Sequence, residues 1–302
     1  MKRLFLSAAL VIAMTTSASA QLLNVSSIEK VALPADFSIS EAVISPNGNS
    51  MAAINAADNS LNLIDLTTVK VEKIADNCSA QSLQFSADSR NVVYRQVSYD
   101  NRLRYTSVVS YNIDNSKKAT LVKPTRNLNG FAVSGNSVTT VNNKIHRSAG
   151  LNGTAAVSAP VASIYYGQLM VTNNGETKAI NPNGKDGRSY LWPSISPDGT
   201  KVLYFLVGRG CFVCDLDGSN SQYVASLRAP RWLDNSTIVG MNDIDDGHVV
   251  TASSIVAANL KGTKQVLTNT NVIAMYPSTN ANASKIAFTT TNGEAYIINI
   301  NR

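Results

Sequence analysis

The sequence predicts an all-β chain folded as a ring of seven small antiparallel sheets, a β-propeller, and three observations lead there. The stretch 192–226, WPSISPDGTKVLYFLVGRGCFVCDLDGSNSQYVAS, reads as four short extended runs joined by turn residues. Looser copies of this unit recur along the chain at about 40 residues per repeat, inside the ~40–45 range of blade-type repeats. No stretch sustains the 3.6-residue apolar period of a helix. A single sheet of this kind cannot bury its own faces and must stack on copies of itself. Six blades is the alternative count, decided by how the third and fourth repeats divide.

The first twenty residues stand apart from the fold. Lys2 and Arg3 form a basic start, residues 4–14 an apolar run, and Ser17-Ala18-Ser19-Ala20 the small residues of a cleavage site, the pattern of a secretory leader. The apolar run is too short to span a bilayer, and no later run approaches the ~20 residues a span needs. No cysteine lies near the cleavage site, so no lipid anchor is expected. The mature chain is expected to begin near Gln21, to form one domain over 21–302, and to be periplasmic or secreted. Without Lys2 and Arg3, 24 basic residues face 20 acidic ones, a net charge of +4. They are scattered, with Lys117-Lys118 the only adjacent basic pair, so the clustered basic face of a nucleic-acid binder is missing.

Taken in order, residues 25–33 form a lone strand ended by Pro34. Blade one runs through Val43-Ile44, the turn Ser45-Pro46-Asn47-Gly48, then 51–55, 61–65 and 69–75. Blade two repeats this from Leu83-Gln84-Phe85 and the turn Ser86-Ala87-Asp88-Ser89, through 92–97, 106–113 and 119–123, with 98–104 read as a long loop. Blade three is degenerate: 131–133, 137–142, 144–148 and 155–158. Blade four is weaker still, with 164–166, 169–173, 176–181 and 189–192. Blade five is the opening stretch. Blade six starts at Pro230-Arg231-Trp232 and continues through 237–241, an Asp-rich hairpin at 242–248, 252–260 and 264–268. Blade seven gives 276–278, 285–290 and 295–300, then stops one strand short. The spare N-terminal run is expected to supply that strand and to close the ring like a clasp.

Cysteines number three. Cys211 and Cys214 lie three apart on one strand, so they face opposite ways, ~10 Å apart by the strand rise, beyond disulfide reach. They are expected to be buried strand residues, and pairing of Cys78 with either one stays open.

The turn Ser196-Pro197-Asp198-Gly199, after Trp192-Pro193 and before a strand, resembles the signature of TolB-like, WD40-like propeller repeats. Ser45-Pro46-Asn47-Gly48, Ser86-Ala87-Asp88-Ser89, Asp217-Gly218-Ser219 and Leu260-Lys261-Gly262 are similar to the family's other turns. Proline fixes φ at the turn, Asp or Asn accepts backbone hydrogen bonds, and Gly supplies positive φ. The resemblance implies periplasmic or secreted interaction scaffolds, regulatory propellers of peptidases, and occasional enzymes such as oligogalacturonate lyases.

Propellers bind at the axial mouth, where the loops leading into the innermost strands converge. Aligning the blades on their turns places Glu41, Gln81, Asn129, Tyr165, Trp192, Arg228 and Tyr276 there as the candidate ligand-binding residues. Aromatics, an arginine and amides suit a protein, a peptide or a glycan. Packing between blades is the other role open to Trp192 and Tyr276. The Asp243-Ile244-Asp245-Asp246-Gly247-His248 hairpin lacks the glycine position and the Glu of a calcium loop, and is expected to be a solvated turn lying away from the channel. No Gly-x-Ser-x-Gly elbow, His-Glu-x-x-His or phosphate-cradling Gly loop is present. The lyase propellers of the resembled family use several histidines, whereas this chain has only His146 and His248. The expectation is a monomeric, non-catalytic binding propeller without cofactor or metal, the alternative being a lyase or hydrolase acting on polysaccharide or peptide.

Overall fold

A computed structural model of the chain describes residues 21–184 and 189–301, the side chains of residues 79–81 excepted; the leader-like residues 1–20 lie outside them. Among the described residues there are 26 strands in seven antiparallel sheets and no helix. The first strand is β1 (Asn24–Lys30). Blade one is β2 (Ile39–Ile44), β3 (Ser50–Asn55), β4 (Leu61–Asp65) and β5 (Val71–Ala75). Blade two is β6 (Cys78–Phe85), β7 (Asn91–Asp100), β8 (Leu103–Asn112) and β9 (Lys118–Thr125). Blade three has β10 (Leu128–Ser134), β11 (Ser137–Asn142) and β12 (Ile145–Gly150). Blade four has β13 (Val161–Tyr165), β14 (Gln168–Asn173) and β15 (Glu176–Ala179). Blade five is β16 (Tyr190–Ile195), β17 (Lys201–Leu206), β18 (Gly210–Asp215) and β19 (Gln222–Ala225). Blade six is β20 (Arg228–Trp232), β21 (Thr237–Asp245), β22 (Val250–Asn259) and β23 (Lys264–Val266). Blade seven is β24 (Ala274–Thr279), β25 (Lys285–Thr290) and β26 (Ala295–Asn301), completed by β1.

The expected clasp is therefore present. β1 pairs antiparallel with β26 from Asn24 opposite Asn301 to Lys30 opposite Tyr296. The N-terminal segment also reaches blade six, where the Gln265 side chain accepts hydrogen bonds from the Leu22 and Leu23 amides and donates to the Leu23 carbonyl. Leu23 and Val31 are buried in the clusters on either side of blade seven. Two blades carry three strands rather than four. Residues 155–158 form no strand; hydroxyls replace the ladder, with Ser137 Oγ accepting from the Val157 amide and Thr139 Oγ1 from the Ala159 amide. Residues 189–192 do not close blade four; Tyr190 to Trp192 open blade five. The bulge before Ser194 interrupts that strand and made it read as two.

Because blades stack face to face, their middle strands are buried on both sides, as in β11, β17, β18 and β25. Apolar clusters fill the spaces between neighbouring blades, for example Tyr94, Val92 and Leu61 between blades one and two. The seam between blades three and four differs. By strand alternation it is lined by Thr139, Val141, Val161, Ser163 and Thr172, and a side chain on Gly130 would press on Ser163 and Val161. Cys211 and Cys214 do face opposite ways, into the clusters on the two sides of blade five. All three cysteines are free, and burial pushes each thiol up to about 12.

The signature turns do more than reverse the chain. In blades one, two and five the serine Oγ (Ser45, Ser86, Ser196) accepts from the amide five residues on, while the Asx side chain accepts from the amide two on. Each turn also grips the next blade. Asn47 donates its amide to Ser89 Oγ at 3.0 Å, Asp88 to Asn136 Oδ1 at 3.1 Å, Asp198 to Asn235 Oδ1 at 3.0 Å, and Ala281 to the Pro46 carbonyl at 3.1 Å. One face of the ring thus carries a chain of turn-to-turn bonds.

Two outcomes are expected. A chain beginning at residue 34 loses the burial of Leu23 and Val31 as well as the closing ladder, so chemical denaturation should report a fall of at least ~3 kcal/mol. Gly199 has φ +77 and open space around it, so Gly199→Val should cost about 1–2 kcal/mol through backbone strain alone, and Gly199→Asn less.

Candidate mouth of the ring

Chain direction decides which face is which. Each innermost strand runs from the face where the crossing from the previous blade arrives to the face of the signature turns. The hairpins joining second and third strands return to the first face, so crossings and these hairpins gather at one mouth.

Six of the seven innermost strands break register near their mouth end, between Ile39 and Glu41, Ser79 and Gln84, Leu128 and Gly130, Leu191 and Ser194, Arg228 and Arg231, and Met275 and Ser278. In blades five, six and seven the bulge has one construction: Trp192, Ala229 and Tyr276 adopt φ of 46, 45 and 47°, each directly before Pro193, Pro230 or Pro277. Proline has no amide to give the ladder, and positive φ is strained for a residue with a side chain. Bulges of this kind re-aim side chains at functional rims. The Trp-Pro and Tyr-Pro dipeptides were the sequence signal for it.

The seven predicted residues do not form one constellation. Glu41 on β2 lies 3.8 Å from Arg231 on β20, and since these strands flank β24 from either side, the pair crosses the channel wall of blade seven. Burial pushes the Glu41 carboxyl up from its usual 4.5, opposed by Arg231. In sequence Arg231 is simply a strand residue, because a pairing between blades six and one is invisible in sequence spacing. Arg228 donates to Asp243 Oδ2 at 2.6 Å and lies 3.5 Å from Asp245. The Asp243 carboxyl is 3% exposed. The Asp-rich hairpin accordingly lies at the mouth, not away from it, because it joins the second and third strands of its blade. Its tip is the expected turn, with Asp246 accepting from the His248 and Val249 amides. Arg228, Asp243, Asn242, Arg209 and Phe205 line a cavity of about 220 Å³ between blades five and six.

Trp192 packs edge-on against Phe205, ring centres 5.3 Å apart, and touches the cluster between blades six and seven, while Tyr276 is 36% exposed. Asn129, the second residue of β10, accepts the Lys144 amide at 3.1 Å, tying the start of blade three's innermost strand to that blade's own hairpin. The Gln81 side chain is outside the described residues. Tyr165 is misplaced by the sequence reading. It ends β13, where Tyr166 and Gly167 make a tight turn at φ 47 and 75°, so it sits on the opposite face, stacked edge-on with Tyr166. Blade four has no signature turn, so the alignment slipped by a strand length.

Residues 98–104 are ladder rather than loop: β7 and β8 pair continuously to Asp100 opposite Leu103, turning at Asn101-Arg102. The β7–β8 and β21–β22 hairpins, with ten-residue β7, β8 and β22, are the two longest projections at the mouth. A larger cavity, about 750 Å³, lies on the other face between the N-terminal segment and blade six's first turn, remote from this site. Among the described residues no three His, Cys, Asp or Glu side chains gather at metal-holding distance, and no helix is long and apolar enough to cross a membrane.

No family model and no curated protein matches the sequence. Solved structures do. The β-propeller domain of Myceliophteria thermophila Cps50 (Swd1) aligns with a TM-score of 0.59 at 10% identity, over 91% of this chain and 100% of that one. The WD40 repeats of RRP9 align at 0.58 and 10%, over 93% and 99%. An oligogalacturonate lyase of Vibrio parahaemolyticus aligns at only 0.48 and 13%, over 88% and 78%, too loose a likeness to inform chemistry. The topology and the first two likenesses show the fold: an all-β, seven-bladed, WD40-like β-propeller.

The Glu41 carboxyl gives a pH test. Its folded value is raised, so ionisation destabilises the fold. Below the usual 4.5 it is protonated in both states and the cost is absent; above the raised folded value the cost is full. Glu41→Gln should therefore raise the melting temperature by a few degrees at neutral pH and leave it unchanged at pH 4.

Proposed function

We propose that the chain is an exported, TolB-like propeller that acts as a non-catalytic scaffold, binding a protein, a peptide or a glycan at its mouth. The observation that carries this reading is Arg228. Its guanidinium is 42% exposed yet fixed by two carboxylates. It is thus pre-organised beside a cavity, with the rest of its fork free for a partner. Trp192, held against Phe205, and the half-exposed Tyr276 add the aromatic anchors that dominate binding energy at such surfaces. Export rests on the leader pattern at residues 1–20. The TolB-like affiliation rests on the Ser-Pro-Asp-Gly turn and its copies, and the scaffold role on the likeness to WD40-type propellers in fold.

The test begins with a partner isolated on the wild-type protein and identified. Trp192→Ala should weaken its binding about tenfold or more, as expected of an anchor residue. Arg228→Ala combined with Asp243→Asn, which avoids stranding a buried charge, should do the same, with melting temperature and circular dichroism unchanged. Unaltered affinity in both variants would sink the assignment.

A further inference from the structure

Arg95 is a partly buried charged side chain for which the described residues supply no counter-ion. It stands on β7 directly opposite Val108 of β8. Strand alternation puts it, with Val93 and Val97, on the side of blade two that meets blade three. Val93 and Val108 are fully buried in the apolar cluster at that seam, so the guanidinium rises from an apolar floor. Its Nε is buried and has no acceptor among the described residues. Burial disfavours its charge, and the neighbouring Arg104 disfavours it further; no described carboxylate offsets either.

The surroundings repeat the sign. Arg104, opposite Tyr99, lies on the same side of the hairpin. Asp100 is opposite Leu103 and out of phase with them, so the hairpin's own acid points to the other side. Arg126 follows Thr125, whose hydroxyl donates to Asn142 Oδ1, and Lys144 is tied down by Asn129, so both stand where blade two crosses to blade three. A guanidinium with its Nε buried and no counter-ion beside it is costly, and a bidentate oxyanion is the group that answers its geometry.

We propose that Arg95 and Arg104 form an oxyanion site at the mouth end of the seam between blades two and three, taking a carboxylate or phosphate group of a ligand. The site lies on different blades from Arg228 and Trp192, so it stands or falls independently of the function proposed above.

The experiment is a thermal-shift and calorimetric titration of the whole mature chain with sodium phosphate, sodium sulfate and sodium succinate, each against sodium chloride at equal ionic strength. Wild type should show saturable stabilisation by at least one of them; the succinate arm against the phosphate and sulfate arms separates a carboxylate from a tetrahedral ligand. Arg95→Met should abolish the response while melting no lower than wild type without ligand, because it removes an uncompensated charge and keeps the apolar stem. Should that variant fail to fold, the exposed-side variant Arg104→Gln decides, with an expected loss of about threefold or more in affinity, the scale of one charge-assisted contact. Trp192→Ala should respond as wild type does. No saturable response to any of the three salts, or an undiminished one in both arginine variants, would overturn the site.

Discussion

Pairing between the two ends of the chain is the constraint on which the ring depends. Every other sheet is made from consecutive strands, so its closure spans only a turn. β1 and β26 join residues 24 and 301, the longest loop the chain can close. On loop-closure entropy that contact is expected to form last, since the cost must be met before the contact rewards it. Gln265 extends the fastening into blade six, and the Lys30–Glu294 ion pair marks its mouth end. Lys30 is exposed and Glu294 only half-buried, so the pair contributes little beside the ladder and the burial of Leu23 and Val31.

The two faces divide the work. On one, signature turns are linked blade to blade through Asn47, Asp88, Asp198 and Ala281. On the other, bulged strand starts and projecting hairpins hold charged and aromatic groups on a rigid frame. Strain at Trp192, Ala229 and Tyr276 collects at that second face, where a bent backbone can be held by its neighbours.

Much of the architecture was legible, and for a physical reason: turns are local. Ser196-Pro197-Asp198-Gly199 and its copies carry their own hydrogen bonds, so they can be read without knowing the neighbours. The missing strand of blade seven could be read by counting. What sequence could not supply was anything decided between strands. The Glu41–Arg231 pair, the Arg228–Asp243 pair and the isolation of Arg95 each depend on residues from separate strands meeting. Tyr165 went to the wrong face because blade four lacks the turn on which the alignment was anchored. The Asp-rich hairpin lies at the mouth because it joins the second and third strands of its blade, a placement that its composition does not encode.

The seam between blades three and four sits across the ring from the clasp. It is lined by Thr139, Ser163 and Thr172 beside Val141 and Val161, where other seams hold leucine, isoleucine and tyrosine, and each of its blades has three strands among the described residues. Less apolar area is hidden there, so thermal fluctuations should part the circle at this point while the fastened ends stay joined. A circle that opened there would flex as two unequal arcs, and anything gripping both arcs at the mouth would restrain that breathing.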